Sequence, residues 1–358
     1  MKILMITNHS YMFYQFRKEL TEELLKDHEV FISTPFVGRE EELKELGCTM
    51  IETHVDRRGI NPITDLKLLK KYKRIIQEVK PDKVITYSIK PNIYASLICS
   101  FYKIPYYVNV QGLGTAFQKK GISTLVTFLY KLALKHAQVV FFENEGNANE
   151  FQVRKIIPKY KEKLLKGAGI NLDKFTYEEY PNDDTVHFLF VGRIMKEKGV
   201  NELFDAMIRL KEKYQNVILD VVGFFEDEYK EIVEDLEKRN IVKFHGFQQE
   251  VRSYYKNAHC VVLPSYHEGM SNVLLEGSAT GRIIVTSDIP GCKEAVDVGV
   301  TGFTCPIKDA DQLFIQLDKV MQLTREQRKQ MGIQAREKMY KEFDKKIIVK
   351  ETVESVMK

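Results

Sequence analysis

Four charged residues in the second half of the chain have types and spacings that suit a ligand carrying both phosphate and hydroxyl groups. Arg193 and Lys198 lie in "GRIMKEKG", and Glu268 and Glu276 flank the run "EGMSNVLLEG". An arginine fork binds phosphate through two hydrogen bonds, and a nearby lysine adds a point charge. Carboxylates accept hydrogen bonds from hydroxyls. Taken singly, each residue also fits an ordinary charged turn or helix position.

The residues between the two acids predict the start of a helix. Ser271 is a suitable N-cap, which leaves the backbone N–H groups of Asn272, Val273 and Leu274 at the positive end of the helix. Such a helix start binds anions. A phosphate held there would have a carboxylate on either side, so the pattern suits a sugar linked to a nucleoside diphosphate.

The elements that position these residues follow from alternating patterns. Short apolar runs such as "KILMITN" and "VHFLFVG" alternate with stretches of helical periodicity. This predicts an α/β protein with parallel sheets covered on both faces. The polar, aperiodic segment 169–184 separates two such sets, so we expect two doubly wound domains, at residues 1–171 and 172–341, and a final helical segment at 342–358. Ligands bind beyond the carboxyl ends of such strands, so two facing domains would enclose a cleft.

Composition narrows the class of protein. The 358 residues are 44% hydrophobic, which is enough for more than one core. Five scattered cysteines predict free thiols and a reducing cytoplasm, and the first residues resemble a β-strand more than a signal peptide. Residues 57–174 carry 22 Lys and Arg against 8 Asp and Glu. This excess indicates a solvated basic surface, an anionic acceptor or an anionic membrane.

Several motifs together resemble a known family. Four runs resemble, in their order along the chain, the donor-site signature of glycosyltransferase family 4: "GAGINLDKF", "FVGRIMKEKGV", "VKFHGF" and "PSYHEGMSNVLLEGSATGRIIVTSDIPGCKEAV". Members of this family are retaining nucleotide-sugar transferases with the GT-B fold. The runs "TYSIKPNIYASL" and "NVQGLGTAF" are similar to bacterial surface-glycan transferases, including N-acetylgalactosaminyltransferases, that act on polyprenyl-diphosphate-linked sugars. The resemblance implies transfer of a hexose or N-acetylhexosamine from a UDP-sugar to a glycan or a lipid-linked acceptor.

The resemblance also implies roles for individual residues. Arg193 and Lys198 would bind the donor diphosphate in place of a metal, and with Glu268 they would be the catalytic side chains. Glu268 would hold the transferred sugar and Glu276 the ribose hydroxyls. The base would face Gly246 and Phe247. The sugar and distal phosphate would meet the backbone of the intervening run, which comprises Gly269, Met270, Ser271, Asn272 and Val273. Residues 342–358 would return to the first domain.

The implied mechanism needs neither a protein nucleophile nor a cofactor. The acceptor hydroxyl attacks the anomeric carbon on the face that the diphosphate leaves, and a phosphate oxygen takes the proton. No metal is expected, because the acid clusters at 226–228 and 309–311 are more typical of helix starts. The run "GLGTAF" (112–117) holds only half of a dinucleotide fingerprint.

Acceptor binding is expected in the first domain. The loop "NHSYMFYQFRKEL" begins with small polar residues and is expected to expose aromatic side chains, including Phe13. Lys90 could meet an acceptor phosphate or could simply begin a helix. Many members of the family have a histidine where this chain has Gln111, which cannot change its charge. The candidate acceptor residues are Ser10, Tyr11, Lys90 and Gln111.

The segment "GISTLVTFLYKLALKH" is apolar nearly all round, which is typical of a buried helix or of one in a membrane interface. We therefore expect a cytoplasmic protein, with peripheral contact with the anionic inner face of the plasma membrane as a hypothesis and no nucleic-acid partner. Two alternatives to a transferase remain: a catalytically idle partner with the same fold, and another enzyme of this architecture, such as a sugar-nucleotide epimerase or a phosphorylase.

Overall fold

The computed structural model describes residues 1–56, 61–113, 117 and 120–358. These residues form two compact units. The first comprises residues 1–168 and 346–358, and the second comprises residues 169–345. The boundaries predicted at 171 and 342 lie close to these limits.

The first unit is built on a parallel sheet whose described strands follow the order β3-β2-β1-β4-β5-β6-β7. The strands are β1 (Lys2–Ile6), β2 (Glu29–Thr34), β3 (Thr49–Glu52), β4 (Lys83–Tyr87), β5 (Tyr106–Val110), β6 (Val139–Phe142) and β7 (Glu162–Leu164). The helices are α1 (Ser10–Leu25), α2 (Glu40–Glu45), α3 (Pro62–Val79), α4 (Ile89–Tyr102), α5 (Lys120–Ala133), α6 (Glu145–Val153) and, from the end of the chain, α13 (Lys345–Met357).

The second unit repeats this arrangement with a parallel sheet in the order β10-β9-β8-β11-β12-β13. Its strands are β8 (Val186–Val191), β9 (Val217–Val222), β10 (Val242–Phe244), β11 (Cys260–Leu263), β12 (Ile283–Ser287) and β13 (Gly302–Cys305). Its helices are α7 (Val200–Lys213), α8 (Lys230–Lys238), α9 (Arg252–Asn257), α10 (Asn272–Ala279), α11 (Ala310–Gln322) and α12 (Arg325–Lys338), which continues into a π-helical turn (Met339–Phe343).

The sheet of the first unit has a hydrophobic core on each face. Residues of β1 alternate between them, with Leu4 and Ile6 in one core and Ile3 and Met5 in the other. Strands buried on both faces must be apolar almost throughout, which explains the runs seen in the sequence. The expectation that Phe13 is exposed is wrong. It is 3% exposed and packs edge-on against the ring of Tyr87, because α1 turns it towards the sheet.

Two buried arginines hold the connecting segment 169–184 on the second unit. The Arg282 guanidinium donates hydrogen bonds to the carbonyls of Glu178 and Glu179 at 3.0 Å. Arg336 donates to the carbonyls of Leu172 and Phe175. Each guanidinium group donates hydrogen bonds to several carbonyls at once. These hydrogen bonds offset the cost of burying its positive charge.

The strands that the sequence patterns missed are short and lie at the edges of the sheets. These are β3, β7 and β13, with sequences "TMIE", "EKL" and "GFTC". All five cysteines are free and buried. Within the described part of the chain, no helix has the length and apolar character needed to cross a bilayer.

Candidate functional site

The loop that follows β8 carries Arg193 and Lys198 and lies against the loop that follows β11. Gly199 adopts a left-handed conformation (φ +70°), and a Cβ at this position would lie 2.1 Å from the carbonyl oxygen of Pro264. Any other residue would therefore push the two loops apart. The N–H of Tyr266 donates a 2.9 Å hydrogen bond to the carbonyl of Glu197, which joins the loops directly.

This contact brings two of the predicted site residues together. The Nζ atom of Lys198 lies 2.5 Å from Oε1 of Glu268, and the two side chains are only 19% and 14% exposed. The ion pair fixes the positions of the two side chains relative to each other. A phosphate bound at this point would share Lys198 with Glu268.

Arg193 has a carboxylate partner that the sequence did not predict. Its Nη1 atom donates to Oε2 of Glu226 at 2.6 Å, in the loop after β9. The two loops run side by side, because the N–H of Ile194 donates to the carbonyl of Phe224 at 2.8 Å. The prediction that residues 226–228 begin a helix is wrong, because α8 begins at Lys230. Glu226 and Asp227 instead accept hydrogen bonds from the loop after β8. The same prediction for 309–311 is confirmed, because the Asp309 side chain caps α11.

The helix start predicted at Ser271 is present, with α10 running from Asn272 to Ala279. The N–H of Ser271 donates to the carbonyl of Gly291 at 2.9 Å. Gly291 has a φ of +88°, and a Cβ there would lie 2.2 Å from the carbonyl oxygen of Gly269. The backbone of residues 269–271 is therefore fixed against the loop after β12, ahead of the first amides of α10. Asn272 and Val273 supply these amides.

Met270 packs into the hydrophobic core of the second unit and is 6% exposed. Its side chain is therefore not available to a ligand. Any contact with a sugar at this position would have to come from the backbone, as the resemblance implies.

Glu276 lies inside the unit, where its Oε2 atom accepts a 2.8 Å hydrogen bond from the hydroxyl of Tyr255. Burial raises the pKa of Glu276 to about 7, although this hydrogen bond and the charge of Lys174 act in the opposite direction. The two acids thus differ in environment. Glu268 is paired with a cation, whereas Glu276 is held by a neutral hydroxyl on α9.

The predicted base-facing residues lie just beyond the end of β10. Phe247 is 62% exposed, and its ring meets that of Phe224 edge-on with 6.3 Å between the centroids. The backbones of the two loops are joined by a 2.9 Å hydrogen bond from the N–H of Gly223 to the carbonyl of Gly246. Sequence reasoning missed Phe224, and the one available signal was the pair "FF" directly after an apolar strand.

In the first unit, Ser10 has a structural role. Its Oγ atom lies 2.8 Å from the carbonyl oxygen of Gly38 and 2.7 Å from Oε1 of Glu40, and it accepts the N–H of Val37 at 3.0 Å. Because its side chain is fully buried, Ser10 ties the start of α1 to the turn at 37–40 and is a poor candidate for an acceptor contact. Tyr11 is half-buried beside the Arg39 guanidinium.

Lys90 is held by an acid. Its Nζ atom lies 2.7 Å from Oδ1 of Asp65, whose Oδ2 accepts the Tyr94 hydroxyl at 2.9 Å. With Lys67 and Lys71 it lines a cavity of about 640 Å³ near the start of α3.

Gln111 is half-buried directly after β5, which places it at the carboxyl end of a central strand. Part of the "GLGTAF" run that follows lies outside the described residues.

Comparison with known proteins identifies relatives for both units. The family model "Glycosyl transferases group 1" matches residues 174–338, and the model "Glycosyl transferase 4-like" matches residues 2–144. A Campylobacter jejuni protein named N,N'-diacetylbacillosaminyl-diphospho-undecaprenol alpha-1,3-N-acetylgalactosaminyltransferase is 31% identical over 333 residues, which cover 87% of each chain. The Staphylococcus aureus capsular polysaccharide biosynthesis glycosyltransferase CapM is 25% identical over 327 residues, or 87% of this chain and 85% of that one.

Solved structures match the fold at low sequence identity. HepE of Anabaena, crystallised with UDP, has a TM-score of 0.81 at 16% identity, and the match covers 100% of both chains. A glycosyltransferase from Rickettsia africae has a TM-score of 0.80 at 18% identity over 99% of this chain and 97% of that one. The predicted fold class, two Rossmann-like α/β domains of the GT-B type, is confirmed. Together with the long match to the Campylobacter protein, these findings show that the chain belongs to the glycosyltransferases of group 1.

Proposed function

We propose that this enzyme is a retaining glycosyltransferase that moves a hexose or N-acetylhexosamine from a UDP-sugar to a growing bacterial surface glycan. The observation that carries this proposal is the convergence of three loops beyond the second sheet. The loop after β8 carries both Arg193 and Lys198, and the Lys198–Glu268 ion pair joins it to the loop that leads into α10. The Arg193–Glu226 ion pair joins it to the loop after β9. Two cations beside a helix start suit a diphosphate, and a fixed carboxylate suits sugar hydroxyls.

In this mechanism the acceptor oxygen forms a bond to the anomeric carbon while the bond from that carbon to the diphosphate breaks on the same face. The acceptor proton passes to the departing phosphate oxygen. Negative charge therefore grows on the diphosphate, where Arg193 and Lys198 can stabilise it. Removing one such preorganised donor costs about 3 kcal/mol, or roughly 100-fold in rate.

The proposal includes activity without a divalent metal. The acids nearest to the phosphate-binding cations are already engaged, because Glu226 pairs with Arg193 and Asp227 accepts the N–H of Lys196. Among the described residues no cluster of side chains is suited to hold a metal ion. The two cations would take the part that a metal plays in other transferases.

For the acceptor, we infer a sugar linked to a polyprenyl diphosphate. The Campylobacter relative is named for a diphospho-undecaprenol acceptor. In this chain, Lys67, Lys71 and Lys90 line one cavity beyond the carboxyl end of β3, within the basic region noted in the sequence. These cations could meet an acceptor diphosphate, although Glu52, Asp56 and Asp65 line the same cavity and Asp65 already pairs with Lys90.

A membrane-bound acceptor would place the enzyme at a membrane surface, and α5 offers a suitable face. Val126, Tyr130 and Ala133 bury one side of this helix in the core. The opposite side exposes an apolar stripe, here called the α5 stripe, which comprises Leu125, Phe128 and Leu132. An apolar stripe flanked by lysines is typical of helices that lie in the interface of an anionic membrane.

The proposal is tested by incubating the protein with a panel of nucleotide sugars, with and without a lipid-linked acceptor, in EDTA. Acceptor-dependent release of UDP is expected. Arg193→Ala should reduce turnover about 100-fold with little change in melting temperature. Arg239→Ala, at the exposed end of α8, is the matched control and should leave turnover unchanged.

If Arg193→Ala turned over substrate as fast as the wild type, the phosphate-binding role assigned to Arg193 would be wrong. No turnover with any nucleotide sugar, combined with UDP binding, would favour the idle-partner alternative. Interconversion of the nucleotide sugar without acceptor would favour the epimerase.

A further inference from the structure

The two phenylalanines that follow β9 point in different directions. Phe225 contacts the ring of Phe244 with 4.8 Å between the centroids and packs against the hydrophobic core. Phe224 is 46% exposed. Since Phe225 alone fills the core at this point, packing does not explain why its neighbour is also a large aromatic residue. An exposed ring at a strand end suits contact with another flat group.

A second exposed ring lies beside it. Phe247, 62% exposed, follows β10 and meets Phe224 at an interplanar angle of 63°. The Gly223–Gly246 hydrogen bond fixes the spacing of the two loops. Both rings therefore lie beyond the carboxyl ends of adjacent parallel strands, where ligands of such sheets bind.

The ring of Phe224 belongs to a loop that is also joined to the proposed phosphate site. The carbonyl of Phe224 accepts the N–H of Ile194, and Glu226 in the same loop holds Arg193. The strand order β10-β9-β8 places the aromatic pair and Arg193 on neighbouring strand ends. A ligand with a flat ring at one end and a diphosphate at the other could contact both.

We propose that Phe224, together with Phe247, forms a platform on which the base of the nucleotide stacks. The inference rests on the proposed function, because it takes the ligand to be a nucleotide sugar. An edge-to-face pair leaves ring surface open to a third aromatic group, and stacking of this kind tolerates any base. Phe224 thus contributes affinity for the nucleoside part of the ligand, whereas Arg193 contributes affinity for its phosphates.

The absence of tryptophan from the chain allows a direct test. Phe224→Trp introduces the single indole of the protein at the proposed platform. Adding UDP should quench its fluorescence, and adding inorganic pyrophosphate should not. Phe101→Trp, at a 76% exposed position on α4 of the first unit, is the matched control and should respond to neither ligand.

Binding constants provide the second measurement. Phe224→Ala should weaken UDP binding about tenfold and leave pyrophosphate binding unchanged, and Phe224→Tyr should restore UDP binding. Because Phe224 is exposed, the melting temperature of each variant should match that of the wild type. A Phe224→Ala variant that binds UDP as the wild type does, or that loses UDP and pyrophosphate equally, would overturn the inference.

The two proposals fail in different ways. If the wild type binds UDP and Phe224→Ala binds it equally well, only the stacking role is wrong. If the wild type binds neither UDP nor any other nucleoside diphosphate of a panel, and the Phe224→Trp signal does not respond to them, both proposals are wrong.

Discussion

The carboxyl group of Glu276 is subject to two opposing requirements. Burial favours its neutral form, so the folded protein holds this proton up to about pH 7, whereas the ordinary pKa of a glutamate is 4.5. In the ribose-binding role that the family resemblance implies for Glu276, we propose that the anion is the binding form, because it accepts more hydrogen bonds. The Tyr255 hydroxyl donates to one carboxylate oxygen and thereby orients the other, so we propose Tyr255 as a positioning residue for Glu276.

These requirements predict pH effects of opposite sign. The affinity for a UDP-sugar should rise as the pH increases through about 7, because Glu276 loses its proton. The free energy of unfolding of the ligand-free protein should fall between pH 4.5 and about 7, because the folded state binds this proton more tightly than the unfolded state. Titration calorimetry and denaturant unfolding at several pH values measure the two effects.

Variants of the pair separate Glu276 from other titrating groups. Glu276→Gln should bind the UDP-sugar with no titration near pH 7. Tyr255→Phe should move the titration to higher pH, because the hydrogen bond that it removes lowers the pKa of Glu276. A Glu276→Gln variant that kept the wild-type pH profile would assign the titration to another residue.

At the scale of the element, α5 shows why an apolar helix can be incompletely buried. The sequence is apolar around most of the circumference of the helix, but the hydrophobic core of the first unit covers only one side of it. Thr124 lies on the exposed side near the α5 stripe, and Lys131 and Lys135 lie beside Leu132. The helix therefore presents apolar and basic groups together, which is the combination that binds anionic lipid surfaces.

Flotation with vesicles of anionic phospholipid at low salt should recover the wild-type protein, and raised salt should weaken the binding. The double variant Phe128→Ser/Leu132→Ser should float much less, because it removes apolar area that would enter the interface. Thr124→Ser, on the same face, is the control and should float like the wild type. Failure of the wild type to float at low salt would rule out the membrane hypothesis.

At the scale of the whole molecule, the last helix belongs to the first unit although it follows the second in the sequence. Ile348 and Val356 of α13 are buried in the same core as Phe13. The Nζ atom of Lys83 donates to the carbonyl of Val356 at 2.5 Å, and that of Lys163 lies 2.8 Å from Oγ of Ser355. Lys83 thus satisfies a carbonyl that the last turn of α13 leaves without a partner in the helix.

Ile348→Ala should therefore destabilise the first unit by about 2 to 4 kcal/mol, because it opens a cavity in its core. Hydrogen exchange should accelerate at amides of β1, β4 and β5 and not at those of β8 and β9. Ile347→Ala, one position earlier and 40% exposed, is the matched control and should change exchange little. Faster exchange confined to the second unit would contradict this assignment of α13.

The sequence by itself determined the architecture and the main candidates of the site. Parallel strands buried on both faces must be apolar almost throughout, so β1, β8, β11 and their neighbours were visible as runs. Arg193, Lys198 and Glu268 were visible because they follow such strands, and parallel strands bring their carboxyl ends to one side of a sheet. The short edge strands were missed because three or four residues, partly exposed, carry little periodicity.

Tertiary structure alone decided which partner each site residue has. The sequence contains Glu226, Tyr255 and Asp65, but their pairing with Arg193, Glu276 and Lys90 joins residues that are 33, 21 and 25 positions apart. The direction of Phe224 and the burial of Ser10 and Phe13 also depend on which neighbouring loop or helix covers them. Local patterns report a residue's own preferences, whereas contacts between loops depend on the packing of the elements that carry them, and that packing is set by the whole fold.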